Sequence, residues 1–599
     1  MRFTLLTLAL LAVLAPSPAA QDTKGMADGL VRLVRAHQQD DGGYGDLATT
    51  CRVLDLMARS PRRYNELDGP YFRRAAELVA ADSDPTLDAW RVLALSCAVT
   101  PRLVAARNGA RDRLVEQAPR TLDPIVLLAL RTLPPPVAPR LSSPPDEATP
   151  ELAILLADDP ATVPAPSVDD RHAWTRWARA ARLRGERPHP LPELPAEPLR
   201  PGTPLPELLD QLEFIIAVHG LVVPAMASAE SAPPPPPPIR GPGNDVVTAL
   251  EDALAFLESH QRNGTFGLLA PGWNDAEPGV TALCLSATMH AADMLGRSYP
   301  DWVDEGLDWL TSLQGPDGSI QTYGVAVYTT SVAMEALIDR GRDADRPVVA
   351  AALAFLVAAQ ADEGEGYLSA DDPHYGGVGY GGDERPDLSN MNIALDAVAR
   401  AELDPDHPFF DKALTFLERN QNLAEAGNWR LPRAGGGTLV PGTDGGATYM
   451  PGSSPAGEDQ VADGVYVARS YGSMTYALTK SYLICGLAPD DARVVAAVNW
   501  LADHFTLETN PGFDDPGHAG DGLYYYYMAM ARTLRLVAGE RLVRSDGSSI
   551  EWRAELGEHL LAQQRTDGSW VNEDSSRWYE GSPTLCSAFA ILSLAAADG

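Results

Sequence analysis

The sequence predicts an almost entirely helical protein whose C-terminal part, about residues 245 to 599, closes into a ring of helical hairpins around a central cavity. Three observations predict it: a segment that recurs six times in that part, an apolar helical stretch after each copy, and terminal copies as apolar as the middle ones. The copies read AFLESHQRNGTF from Ala255, DWLTSLQGPDGSI from Asp308, AFLVAAQADEGEGY from Ala354, TFLERNQNLAEAGNW from Thr415, NWLADHF from Asn499 and HLLAQQRTDGSW from His559. A seventh, isolated relative, LVRAHQQDDGGY, starts at Leu33.

Each part of the segment has a physical purpose. The aromatic and the Leu after it anchor an apolar face near a helix end. A Gln follows in five copies (Gln261, Gln314, Gln360, Gln421 and Gln564), whereas the fifth copy carries Phe505. Its amide is expected to bond backbone groups that the ending helix leaves unpaired. Asp317-Gly318 and Asp567-Gly568 then reverse the chain, and Ile320 or Trp570 can pack back over the turn. The second helices are expected at Val280 to Leu295, Ala326 to Ile338, Asn390 to Ala401, Ser470 to Cys485, Leu523 to Val537 and Thr584 to Ala596. An open superhelix would need polar capping repeats at both ends, and closure of six hairpins into a ring removes that need.

Upstream, Arg2, the apolar run Leu5 to Leu14 and Pro16-Ser17-Pro18-Ala19-Ala20 read as a signal peptide, residues 1–20, cut after Ala19 or Ala20. No later stretch reaches about 18 uninterrupted apolar residues, so no transmembrane anchor is expected, and export to a periplasm or the exterior follows. Residues 25–228 read as an irregular helical domain, with helical stretches such as Tyr71 to Ala81, Leu87 to Ala98 and Leu205 to His219 broken often by proline. Residues 229–244, with Pro233 to Pro238 and Gly241-Pro242-Gly243, read as a polyproline spacer before the ring. A net charge of −34 excludes nucleic acid as a partner. Cys51, Cys97, Cys284, Cys485 and Cys586 are spread without any C-x-x-C pair and each sits in an apolar run, the pattern of small buried hydrophobes, although export leaves a disulfide possible.

Gln564-Arg565-Thr566-Asp567-Gly568-Ser569-Trp570 and Gln314-Gly315-Pro316-Asp317-Gly318-Ser319-Ile320 resemble the prenyltransferase and squalene oxidase repeats, the QW motifs of terpenoid cyclases and protein prenyltransferase β subunits. The resemblance covers essentially all of residues 245–599 and touches residues 33–58. It implies an α/α toroid. It implies no particular chemistry, because the hallmarks of both activities are missing. The Asp-x-Asp-Asp acid of squalene-hopene-type cyclases has no counterpart; Asp404-Pro405-Asp406-His407 comes nearest. No Cys follows an Asp by two residues, as the prenyltransferase zinc site requires, and the helix aligned with the zinc His reads Tyr524-Tyr525-Tyr526-Tyr527-Met528.

Candidate ligand-binding residues are those that inner helices and Gly-rich loops would bring to the lumen. They are Tyr380, Arg385, Asp387 and Asn390 in and after the loop Tyr375 to Asp387; Arg469, Tyr471, Tyr476 and Lys480 after the loop Gly435 to Gly452; Tyr524 and Tyr527; and Arg577 and Trp578. Plainer roles compete with each. Asp387 or Ser389 can cap a helix, the tyrosines can be core, and Arg577 with Glu580 can form a surface ion pair. Asp362, Glu363, Glu365, Asp371, Asp372 and His374 crowd one loop without the spacing of a calcium loop, so no metal is expected, and no motif calls for a cofactor. Three function classes remain: a binding or scaffold protein for an extended or partly apolar ligand, an enzyme on polyisoprenoids using unfamiliar residues, and a carbohydrate-active toroid. The expected partners are accordingly lipid, isoprenoid or glycan.

Overall fold

Two compact units, Met1–Pro233 and Pro234–Gly599, divide the chain. The structure, a computed structural model, describes residues 23–117, 123–132, 153, 155, 163, 165–167, 170–183, 202–226, 237–241, 243–268, 276–322, 325–369, 372–381, 385–423, 429–433 and 436–598. The expected signal peptide and residues 233–236 of the proline run lie outside them.

The first unit contains α1 (Thr23–Arg35), α2 (Leu47–Arg59), α3 (Pro70–Ala81), α4 (Asp88–Ala94), α5 (Pro101–Gln117), α6 (Pro124–Thr132), α7 (Arg171–Leu183) and α8 (Leu205–Met226). Leu54, Trp174, Leu212 and Ile215 are fully buried in its core. Asp55 is buried too, and it is held ionised by Arg59 and Arg179 at 3.0 Å each.

The second unit alternates outer and inner helices. The outer set is α9 (Val246–His260), α11 (Asp301–Ser312), α13 (Arg346–Ala358), α15 (Pro408–Asn420), α17 (Ala492–Asp503) and α19 (Trp552–Gln563). The inner set is α10 (Pro278–Met294), α12 (Ala326–Arg340), α14 (Leu388–Arg400), α16 (Gly472–Ile484), α18 (Leu523–Val537) and α20 (Pro583–Asp598). Each inner helix packs on the next, and α20 packs on α10, so the inner ring closes into an α/α toroid. Inner helices are buried on nearly every face, which is why their sequences are apolar or small all round. Outer helices bury one stripe only.

The recurring Gln works differently from the expectation. Instead of bonding its own helix end, its side-chain amide bridges two hairpins, with Nε2 donating to a turn carbonyl of its own hairpin and to a carbonyl in the first turn of the next outer helix. Gln314 donates to Gly318 and Val348, Gln360 to Gly376 and Phe409, and Gln421 to Gly445 and Arg493. Gln564, in the last copy, donates to Gly568 and to Ala249 of the first outer helix, at 3.0 and 2.8 Å. The turn glycine is part of the same joint. Gly568 has φ +89°, and a Cβ there would lie 2.3 Å from the Asp252 carbonyl oxygen. The amide two residues beyond the glycine then donates to a hydroxyl in the first turns of the inner helix: Ile320 to Thr330, Ala447 to Thr475 and Trp570 to Ser587.

Phe505 leaves the fifth joint without its Gln. The Tyr run takes over that place: Tyr526 and Tyr527 on α18 donate hydroxyls to the carbonyls of Thr506 and Leu507, just past the end of α17. In the first unit the isolated relative forms the same joint, with Gln38 bonded to Gly42 and Tyr71 and the Tyr44 amide on Thr50.

Two further departures from the sequence reading concern backbone. Pro238 to Arg240 are not free spacer: the Arg240 amide donates to Gln564 and the Thr566 amide to Pro238, so this end of the proline-rich stretch is stitched into the ring seam. The all-helical pattern is also interrupted before α16 by a four-stranded sheet, order β1-β2-β4-β3, of β1 (Leu431–Pro432), β2 (Thr438–Leu439), β3 (Glu458–Ala462) and β4 (Val465–Ala468). A small hairpin of β5 (Leu542–Val543) and β6 (Ser549–Ile550) precedes α19.

If the Gln bridges hold the ring together, Gln360→Leu should lower stability by about 2 kcal/mol, since two buried carbonyls lose their donor. Gln261→Leu should cost less, because among the described residues the Gln261 side chain bonds only within its own turn, accepting from the Gly264 amide. Urea unfolding of the two variants measures the difference.

Candidate functional site

Helix direction sets up the lumen. All inner helices run the same way, so one end of the ring gathers their N-termini with the Gly-rich loops and the other gathers their C-termini.

Described parts of these loops bond to the starts of inner helices at the N-terminal end. The Tyr380 carbonyl accepts from the Val327 amide at the start of α12, and the Tyr449 carbonyl from Leu388 at the start of α14. Tyr449 and Tyr380 hydroxyls meet at 3.3 Å. Asp387 caps α14, accepting from the Asn390 amide at 2.9 Å and from its side-chain Nδ2 at 2.7 Å. Tyr471 is buried at the head of α16, within electrostatic reach of Tyr525, Asp387, Tyr380 and Arg577, and burial pushes its hydroxyl well above the usual tyrosine value. This end therefore brings Tyr380, Asp387, Asn390, Tyr471 and Arg577 together. Arg385 is half-buried beside them.

The other candidates lie elsewhere. Tyr476 packs its ring on Tyr526, 5.6 Å between centroids. Tyr527 is turned toward the outer helices, where it also meets His559 at 2.9 Å, and Tyr524 packs edge-on against it. The Tyr run thus directs Tyr525, not the expected Tyr524 and Tyr527 pair, toward Ser389 of α14 and Phe589 of α20. Arg469 sits at the sheet, paired with Asp459 at 2.7 Å. Arg577 pairs with Asp521 at 2.8 Å rather than with Glu580, and lies over the Trp578 ring. Trp578 covers Gly522, whose position leaves no room for a Cβ beside that ring.

Glu580 is buried, not a surface group. Its carboxylate receives the amides of Tyr524 and Tyr525 at 3.1 and 2.8 Å and Asn572 Nδ2 at 2.8 Å, capping α18. The acidic loop is likewise spoken for, with Lys412 bridging Asp362 and Glu363 at 2.8 and 2.9 Å.

The open cavity is at the opposite, C-terminal end. A space of about 430 Å³ is lined by His290 of α10, Glu335 of α12, Asp396, Ala399 and Arg400 of α14, Lys480 and Ile484 of α16, Arg532, Arg535 and Leu536 of α18, and Leu592, Ala595 and Ala596 of α20. Below it the lumen narrows to a waist of about 10 Å³, room for about one water, between Leu283, Tyr328, Val332, Ile393, Met528 and Leu592. Of the residues expected at the site, Lys480 alone lines this cavity.

Four charges on four successive inner helices form one layer at its floor. Lys480 is paired closely with Asp396, and Arg532 Nη1 lies 3.5 Å from Asp396 and 3.4 Å from Glu335. Arg400 sits 3.4 Å from Glu335 and also pairs with Asp339, which accepts from Ser286 at 3.0 Å. Burial pushes the Glu335 carboxyl up and the Lys480 ammonium down, and the ion pairs oppose both shifts. Sequence reasoning missed Glu335, Asp396, Arg400 and Arg532. Part of the signal was there: Glu335, Asp396 and Arg532 each stand about two-thirds along a helix whose neighbouring positions are largely apolar or small, and Arg400 ends the helix that holds Asp396. Among the described residues no three His, Cys, Asp or Glu side chains are arranged to hold a metal ion. No described helix is long and apolar enough to cross a membrane.

Glu580 supplies a pH test. Burial raises its carboxyl from 4.5 to about 7, against the amides of Tyr525, Tyr524 and Leu523 and the Asn572 side chain, which favour the ionised form. The unfolded chain loses this proton first, so the stability tied to the protonated form is lost as pH rises from about 4.5 through about 7. Unfolding followed from about pH 4 to about pH 8 should show Glu580→Gln gaining on the parent protein by up to about 3 kcal/mol. Parallel profiles would show that the group titrates normally.

No protein-family model matches the chain, and no curated protein is similar to it. Solved structures are similar in part. The apo type II terpene cyclase MstE from Scytonema is 14% identical, over 58% of this chain and 96% of that one, with a TM-score of 0.33. A protein from Actinoplanes is 14% identical over 59% and 100%, with a TM-score of 0.24. The ent-copalyl diphosphate synthase from Streptomyces platensis is 14% identical over 66% and 92%, with a TM-score of 0.21. Scores this low carry no argument about activity, and the toroid described above rests on its own helix packing.

Proposed function

We propose that this chain is an exported toroid that holds an extended or partly apolar ligand in the C-terminal mouth of its lumen. The observation that carries the reading is the cavity of about 430 Å³, which falls in the range of small-molecule sites, ending at a waist with room for about one water. Its wall is amphipathic. Five inner helices contribute charged or polar groups, while α20 contributes Leu592, Ala595 and Ala596 alone. A ligand with a polar end and an apolar side complements such a wall. Export is supported by the leader pattern of residues 1–20.

A cyclase with unfamiliar residues is less well supported. Cyclisation by protonation needs a strong acid facing an enclosed aromatic chamber, yet both floor carboxylates, Glu335 and Asp396, are matched by Arg or Lys, and the cavity wall has no aromatic residue.

Ala595→Phe tests the reading, because the added ring enters open space on the apolar wall and leaves the core alone. The mature protein, purified from its native envelope, should release a bound compound detectable by lipid and glycan mass spectrometry, and the variant should retain at least about tenfold less. Equal retention by the variant, with an unchanged urea midpoint, would place the ligand elsewhere.

A further inference from the structure

Arg532 has unused bonding capacity at the cavity floor. Both of its ion pairs run through Nη1, at 3.4 and 3.5 Å, long for charge-assisted bonds, which are typically about 2.7 to 2.9 Å. Its carboxylate partners have other cations: Asp396 has Lys480, and Glu335 has Arg400. Nε and Nη2 of Arg532 take no partner among the described residues, and neither is enclosed by protein. Arg532 lines both the mouth and the waist, so this edge lies at the bottom of the cavity.

The position is not explained by the helix end. Arg532 is the tenth of fifteen residues in α18, before the last turn, where a helix dipole would favour a cation. A guanidinium edge with two parallel N–H donors matches a planar carboxylate.

We propose that the lumen floor captures the carboxylate of an apolar carboxylic acid, held by the Nε and Nη2 edge of Arg532, with its chain along Leu592, Ala595 and Ala596. The inference rests on the ligand-holding reading above and adds the ligand's class. Charge decides between anions. Arg400, Lys480, Arg532 and Arg535 face the cavity with Glu335 and Asp396, and Asp339 pairs with Arg400 behind them, so four cations meet three carboxylates and one negative charge is welcome at the free edge. Further charges on the same headgroup, as in a phosphate or diphosphate, fall beside the two carboxylates and are repelled. Ile484 and Leu536, the latter half exposed, extend the apolar surface on the neighbouring helices.

Decanoate, decanol and decyl phosphate are the probes, titrated into the full mature chain by calorimetry. Decanoate should bind at least about tenfold more tightly than decanol, the advantage expected of a charge-assisted pair. The double variant Arg532→Gln/Glu335→Gln, which leaves neither an orphan cation nor an orphan acid at that contact, should erase the difference while leaving decanol binding in place. Carboxyl-labelled decanoate followed by carbon NMR gives a readout that does not depend on the variant folding: bound, it should stay ionised to lower pH than in free solution. The proposal is overturned if decanol or decyl phosphate binds as well as decanoate, if the double variant keeps the preference, or if the bound carboxyl titrates like the free acid. Absence of binding by all three probes also overturns it, whereas the broader reading is judged separately by what Ala595→Phe does to the co-purified compound.

Discussion

One side-chain amide sets the geometry of the ring. A Gln that closes a turn and also reaches into the next outer helix fixes both the spacing and the angle of adjacent hairpins, because both acceptors are backbone carbonyls that cannot move independently of their helices. Repetition of a fixed step around an axis yields either a ring or a superhelix. Gln564 decides in favour of a ring, since its second acceptor is Ala249, at the beginning of the first outer helix. Turn glycines such as Gly318 and Gly568 are needed at the same joint, since a side chain there would collide with the neighbouring helix.

Closure creates the lumen and also dictates what can line it. Inner helices are flanked on both sides, so a charge on one of them must find its partner on another. The floor layer of Lys480, Asp396, Arg532 and Glu335 satisfies this requirement across four helices. Isolated ions there would be costly, and alternating signs make the layer tolerable without making it strongly stabilising. Such a layer reads as a functional choice, because well-packed apolar residues would have held the same helices together at least as well.

Much of this architecture was legible in the chain. Leu523 to Val537 was expected as a helix and is one residue for residue, and the stretch expected at Asn390 to Ala401 is Leu388–Arg400. These follow from periodicity and turn chemistry, both local. The partners of the Gln amides were not legible, since Gln564 and Ala249 are 315 residues apart and only closure joins them. The same holds for the site. Lys480 was singled out, but Glu335, Asp396 and Arg532 looked like single charges in unrelated helices until the ring put them in one layer. The Gly-rich loops drew attention to the N-terminal end, where they do bring Tyr380, Asp387 and Tyr471 together, but there Asp387 caps a helix and the Tyr380 and Tyr449 carbonyls bond helix starts. The fifth joint was hidden because Tyr527 does from an inner helix what a Gln does elsewhere, bonding the Leu507 carbonyl of its own hairpin and meeting His559 of the next outer helix.

Amide hydrogen exchange at the seam tests the ring most directly. The Arg240 and Thr566 amides donate only to carbonyls across the seam between the segment leading into the first outer helix and the last hairpin, Gln564 and Pro238. A closed ring predicts that both exchange as slowly as amides in the middle of α10 and α20, through unfolding of the whole unit. Exchange at the rate of an unstructured peptide, with the inner helices still protected, would mean that the hairpins form an open array and that the lumen does not exist.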